Sequence, residues 1–247
     1  MRVLLPPSET KRAGGSSDVL DLSALALPGL RSAREEVIGA LVTLSGDPEQ
    51  AQRVLKLSER QRGEIELNAL LREGPVMPAI DRYTGVLFDA LGADGLDRVA
   101  RRWLGAHVWI HSAPFGPVAA LDPIPGYRLA AGTSLPGVPP LRRIWADAVT
   151  AAIAAAAPSF VLDLRSDAYV ALGPVPASVP SAFVRVVTPD GRALNHFNKK
   201  AKGELVRLLA LQRPRVSSLR GLLAWAERSG VELAHSTDPG VLELVVS

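Results

Sequence analysis

The chain has 247 residues, 47% of them hydrophobic and 21% charged, with a formal net charge of +3 and no cysteine. That length suits one large domain or two small ones with a sizeable core. The lack of thiols excludes disulfides, thiolate metal sites and cysteine nucleophiles, and fits a reducing, cytoplasmic setting.

The N-terminal apolar run is too short for a signal peptide. The longest apolar stretch, 148–160, is interrupted by Thr150, Pro158 and Ser159. It falls short of the roughly 20 residues a membrane span needs.

In chain order, residues 2–5 read as a short buried strand stopped by Pro6-Pro7, and the Gly/Ser-rich stretch 11–18 as a mobile loop. Stretches 30–44 and 48–72 carry apolar residues at helical spacing, and 74–78 breaks the second. A new unit begins at 79 and carries Asp81-Arg82-Tyr83-Thr84-Gly85. Residues 108–112 read as a central strand, 114–126 as a Pro/Gly loop, and 127–129 as a short strand. The Ala-rich stretch 141–157 predicts a helix, and 160–164 a buried strand ending in a polar turn. Residues 182–187 predict a strand, the Asp-Gly pair at 190–191 a hairpin turn, and 193–197 its returning strand. Helices follow at 199–211 and 217–229, the latter capped by Gly230, and strands at 231–233 and 241–246. No repeat or linker divides the chain. The pattern predicts a single α/β (mixed α+β) domain over 1–247, with a mixed β-sheet surrounded by helices.

Three polar segments stand out. Pro6-Pro7-Ser8-Glu9-Thr10-Lys11-Arg12 follows the first strand, where α/β sheets commonly bind ligands. Ser8 and Thr10 offer hydroxyls there and Lys11 a point charge suited to phosphate, although spacing alone favours a plain polar turn after an edge strand. Asp163-Leu164-Arg165-Ser166-Asp167-Ala168-Tyr169 emerges from a strand end. Arg165 can hold a phosphate bidentately and Tyr169 can stack on a base; the alternative is an Arg–Asp structural network capped by Tyr169. In the third, 195–203, Asn198 can cap a helix on which Lys199 and Lys202 share a face, which makes a favourable anion site. The alternative is a solvated charge run. From Arg185 to Arg228, ten Lys and Arg residues face only Asp190, Glu204 and Glu227.

Other chemistries find little support. His107 and His111 share a strand face rather than surrounding a metal, so neither a metal nor a cofactor is expected. There is no P-loop, dinucleotide fingerprint, serine elbow or paired-carboxylate pattern, so the chain reads as a binding protein more than an enzyme.

In order, these segments resemble the YaaA family of peroxide-stress proteins over most of the chain. The resemblance rests on the first strand with Pro-Pro-Ser-Glu-Thr-Lys, on Arg82-Tyr83-Thr84-Gly85, and on Phe115-Gly116 through Tyr127-Arg128-Leu129. It continues through Asp163 to Tyr169 and Phe197 to Gly203. It implies a YaaA-like fold, a link to hydrogen peroxide resistance, and DNA binding through a helix-hairpin-helix and a cationic cleft. Two departures are visible: 42–71 lacks the glycine pattern of such a hairpin, and Pro117-Val118-Ala119-Ala120 stands where relatives tend to have Arg-Pro. On this basis the expected partner is DNA, bound in the cationic cleft, or a phosphorylated small molecule. The alternative is an enzyme that acts on a nucleotide or other phosphorylated small molecule in the same cleft. The expected contacts are Ser8, Lys11, Arg82, Tyr83, Arg128, Asp163, Arg165, Ser166, Tyr169, Asn198, Lys199 and Lys202, with no membrane involvement.

Overall fold

The structure, a computed structural model, describes residues 1–189 and 197–246. Strand β1 (Arg2–Leu5) opens the chain, and Val3, Leu4 and Leu5 are wholly buried, as in a strand covered on both faces. Helix α1 (Arg31–Ser45) follows, then α2 (Pro48–Leu55). Asp47 starts α2 by accepting from the Gln50 N–H, and Pro48 supplies a first-turn φ without wasting a donor. Lys56, at φ 54°, ends it.

Helix α3 (Glu64–Ala69), strand β2 (Val76–Pro78) and the short helices α4 (Ala79–Arg82) and α5 (Val86–Leu91) come next. The predicted 48–72 helix is therefore broken: the left-handed turn at Lys56 and a 3₁₀ turn at Glu59–Gln61 separate α2 from α3. Helix α6 (Arg98–His107), capped by Asp97, leads directly into β3 (Val108–Ser112). His107 closes the helix and only His111 lies in the strand, so the two do not share a strand face.

The expected Pro/Gly loop instead forms β4 (Gly116–Ala119) and β5 (Pro123–Pro125), while 127–129 is not a strand. Helix α7 (Leu141–Ala156) buries Leu141, Trp145, Val149 and Ile153, one face at four-residue spacing. Then come β6 (Val161–Asp163), α8 (Asp167–Ala171), β7 (Ser181–Val187), α9 (Phe197–Gln212), α10 (Leu219–Arg228), β8 (Leu233–His235) and β9 (Val241–Val245). The hairpin turn and returning strand expected at 190–197 fall almost wholly outside the described residues.

Seven strands form one sheet in the order β4-β3-β1-β6-β7-β9-β8. The middle five are mutually parallel, and β4 and β8 close the edges antiparallel. In chain order the parallel strands run second-first-third-fourth-fifth, the arrangement of a doubly wound sheet. Strand order reverses at β1, so the switch point lies between β1 and β6, where the Leu164 N–H donates to the Leu4 carbonyl at 2.9 Å. The turns leaving that point are Pro6–Ser8 and Leu164–Ser166. Strands β2 and β5 make a separate antiparallel pair.

Residues 11–18 are held rather than free. Lys11 bridges to Tyr83 and Ser16 to Val76, and the Arg12 N–H donates to the Arg82 carbonyl at 2.8 Å. A side chain at Gly15 would meet the Val76 carbonyl, so only glycine fits there.

Candidate functional site

The switch point gathers chemistry from distant parts of the chain. After β6, Asp163 and Arg165 are buried and joined by two parallel bonds, from Arg165 Nε to Oδ1 at 2.8 Å and from NH2 to Oδ2 at 2.6 Å. Arg165 NH1 bonds the Gly173 carbonyl at 2.8 Å and His111 Nδ1 at 2.8 Å. A guanidinium only donates, so His111 accepts at Nδ1 and carries its proton on Nε2, which is buried without a partner. Burial, then the Arg165 charge, push the His111 pKa well below 6.5, so the ring is neutral at pH 7. Every Arg165 nitrogen is thus engaged inside the protein. The expected phosphate fork is a structural pair instead, because β6 is flanked by parallel strands on both sides and its first turn points into the core.

Arg82 is likewise internal, 1% exposed. It donates to the carbonyls of Ile124, Arg12 and Pro75 at 3.2, 2.6 and 2.8 Å, tying the 11–18 segment to β5. Arg128 sits between Glu9 and Glu64, each 3.4 Å away.

The chain's three tyrosines converge here. The Tyr83 and Tyr127 hydroxyls are 2.8 Å apart, and Ser112 Oγ donates to the Tyr127 hydroxyl at 3.2 Å. Tyr169 packs 5.8 Å from the His111 ring. All three rings are buried, so Tyr83 and Tyr169 are not available to stack on a base. Burial pushes the Tyr83 phenol up to about 12 and the other two upward as well. Sequence reasoning passed over Ser112 and Tyr127 as ligand-site residues. Their signal was the scarcity of tyrosine, with each copy next to a polar segment.

Two lysines differ from the arginines. Lys11 Nζ donates to the Ser8 and Glu9 carbonyls at 3.0 and 3.4 Å and lies 4.0 Å from the Tyr127 ring centroid. Lys202 is 5% exposed, and among the described residues it makes no hydrogen bond or ion pair. Its nitrogen lies 5.4 Å from the Phe183 ring centroid. Burial pulls each ammonium down to about 8; for Lys202, Asp163 and Asp167 partly oppose this.

Around the lysines, Ser8 Oγ lies 3.2 Å from Thr10 Oγ1, Ser166 is exposed at the start of α8, and Asn198 Oδ1 is buried without a partner. Asn198 lies inside α9 rather than capping it. Lys199 is exposed while Lys202 is buried, so the two do not act as one face. Of the expected set, the structure leaves Ser8, Lys11, Ser166, Asn198 and Lys202 with groups to offer at this edge. Asn195 and His196 lie outside the described residues.

A depression of about 470 Å3, lined by Glu49, Gln52, Arg53, Lys56, Leu57 and Arg62, opens on α2 and includes none of these residues. Its charges are of both signs and face solvent, whereas burial dominates the surroundings of Lys11 and Lys202. No group of three or more metal-ligating side chains occurs among the described residues. No helix among them is long and apolar enough to cross a membrane.

The chain is thus a doubly wound α/β protein with two desolvated lysines. Residues 1–230 match the family described as peroxide stress protein YaaA, and the chain belongs to that family. It is 45% identical over 230 residues to a UPF0246 protein of Corynebacterium efficiens, covering 91% of this chain and 90% of that one. A UPF0246 protein of Streptomyces coelicolor is 44% identical over 214 residues, covering 85% and 82%. One from Limosilactobacillus fermentum is 28% identical over 191 residues, covering 74% and 76%.

Proposed function

We propose that this peroxide-stress family protein works by binding a small phosphate-bearing ligand at the switch point between β1 and β6. The observation that carries this is Lys202: a cation 5% exposed, its nitrogen 5.4 Å from the Phe183 ring and its ammonium pulled down to about 8 by burial. A buried ammonium is costly unless something neutralises it, and a phosphate oxygen does so. Lys11, the hydroxyls of Ser8 and Ser166, and the Asn198 side chain supply further polar contacts of the mixed kind a small ligand uses. A nucleic-acid backbone mainly requires accessible cations. The test is thermal unfolding with pyrophosphate or a nucleoside diphosphate. Wild type is expected to gain several degrees at saturating ligand, and Lys202→Met to gain nothing. A Lys202→Met shift equal to wild type removes the site from this location.

DNA binding remains the second reading, favoured by a different surface. Arg53, Lys56, Arg60 and Arg62 are all exposed around the turn joining α2 to α3. This is where the family resemblance implies a helix-hairpin-helix, and Lys56 takes the left-handed turn in place of a glycine. Glu49 and Glu59 among them weaken the field.

A further inference from the structure

Lys11 stands apart from the other lysines in what surrounds its nitrogen. Lys56, Lys199 and Lys200 are exposed, and Lys202 is buried against Phe183. Lys11 is part-buried, and burial dominates the surroundings of its nitrogen. Two carbonyls of its own turn, Ser8 and Glu9, orient it from 3.0 and 3.4 Å. The Tyr127 and Tyr83 rings lie 4.0 and 5.6 Å away.

Among the described residues no carboxylate lies within 4 Å of the Lys11 nitrogen. Glu9 and Glu64 are both engaged by Arg128 at 3.4 Å. Burial first, then the Arg128 and Arg82 charges, lower the ammonium to about 8, while Glu9 and Glu64 hold it up. An amine desolvated by burial, whose nearby carboxylates Glu9 and Glu64 are already engaged by Arg128, is in the kind of environment that activates a lysine as a nucleophile. A purely structural lysine is normally held by a carboxylate. The Ser8 and Thr10 hydroxyls lie 3.2 Å apart on the same turn.

We propose that Lys11 forms a Schiff base with an aldehyde or ketone carried by a small phosphorylated ligand, which rests on the phosphate-binding reading of the same edge. The neutral amine lone pair attacks the carbonyl carbon, and the nitrogen loses a proton as the carbonyl oxygen gains one, giving a carbinolamine. Its hydroxyl then takes up the remaining N–H proton and leaves as water while the nitrogen lone pair forms the C=N bond. No oxidant or metal is consumed. Lys202 carries the phosphate, so the two desolvated lysines have separate tasks.

The test uses glyceraldehyde 3-phosphate with sodium cyanoborohydride, which delivers hydride to the imine carbon and fixes it as a secondary amine. Peptide mass mapping of the full chain at pH 7 locates the adduct. Lys11 is expected to react about 10-fold faster than exposed Lys56, since a much larger fraction of it is neutral at that pH. Glycerol 3-phosphate, which has no carbonyl, should suppress the Lys11 adduct and leave Lys56 unaffected. Lys11→Arg should remove the fast adduct with none gained elsewhere.

Labelling of Lys11 no faster than Lys56, or a dominant adduct on Lys202, overturns the nucleophile, even if glycerol 3-phosphate still raises the unfolding temperature. A fast Lys11 adduct that glycerol 3-phosphate does not suppress overturns the phosphorylated class of ligand instead. The two failures are thus distinguishable.

Discussion

Arg165 and Lys202 are both cations buried at the carboxyl edge of the sheet, yet their energetics have opposite sign. Arg165 has Asp163 as a bidentate partner and carbonyls for its remaining donors. Asp163→Asn removes the counter-charge and leaves the guanidinium buried. It is expected to cost about 3–5 kcal/mol in chemical denaturation. A loss below about 1 kcal/mol would mean the pair contributes little to the fold.

Among the described residues no carboxylate pairs with Lys202, and its burial opposes folding. Its pKa falls from 10.5 to about 8 in the folded chain, so the unfolded chain holds more protons between those values. Wild-type stability should therefore rise as pH climbs through that window. Lys202→Met should be more stable than wild type by on the order of 1–3 kcal/mol at pH 7. That advantage should shrink from about pH 8 and be gone above about 10.5. Denaturation series at pH 7 and pH 10 check both halves. A residue that costs stability and can be repaired by a single substitution is what a binding site contains. The sequence placed Arg165 at a strand end and Lys202 on a helix face but did not show which turns inward. The groups that saturate Arg165, His111 and Gly173, arrive from elsewhere in the chain.

At the scale of elements, the position of Lys202 depends on how closely α9 approaches α5. Gly203 makes that approach possible: a Cβ there would collide with the Leu87 carbonyl and lie 2.9 Å from the Ala90 Cβ. Backbone cannot yield as a flexible side chain would, so Gly203→Ala must push the helices apart. The expected cost is about 1–3 kcal/mol. Because Lys202 is the adjacent residue, ligand-induced stabilisation should weaken as well. A drop in unfolding temperature with an unchanged ligand response would separate the packing from the site.

Long periodic elements such as α1, α7, α9 and α10 were legible in sequence, since their apolar spacing agrees with what they bury. Elements fixed by long-range contact were not. The 114–126 stretch reads as a loop because of its prolines and glycines, yet Trp109 and His111 recruit 117–119 into β4 across the sheet edge. The 11–18 segment reads as mobile because of its composition, yet Arg82 and Val76 hold its backbone.

At the scale of the molecule, strand order decides which polar segments meet, and no local pattern carries that order. The turns after β1 and β6 meet only because β1 lies between β3 and β6. This separates two cationic regions that a linear reading merges: the buried lysines at the switch point and the exposed cations of the α2–α3 turn. They predict different responses to DNA.

If DNA binds through the exposed surface, anisotropy of labelled duplex across a salt series should give a steep log–log slope, roughly 0.9 per phosphate contact. The triple variant Arg53→Ala/Lys56→Ala/Arg62→Ala should flatten it by roughly 2–3. Lys202→Met should leave DNA affinity unchanged, because an ammonium on a residue 5% exposed cannot follow a duplex backbone without the sheet edge opening. If instead Lys202→Met and Lys199→Ala weaken DNA binding while the triple variant is neutral, the duplex reaches the switch point. The small-ligand reading would then give way to the cationic cleft. Flat salt dependence in wild type would remove the electrostatic mechanism from both surfaces and leave the desolvated lysines to a small molecule.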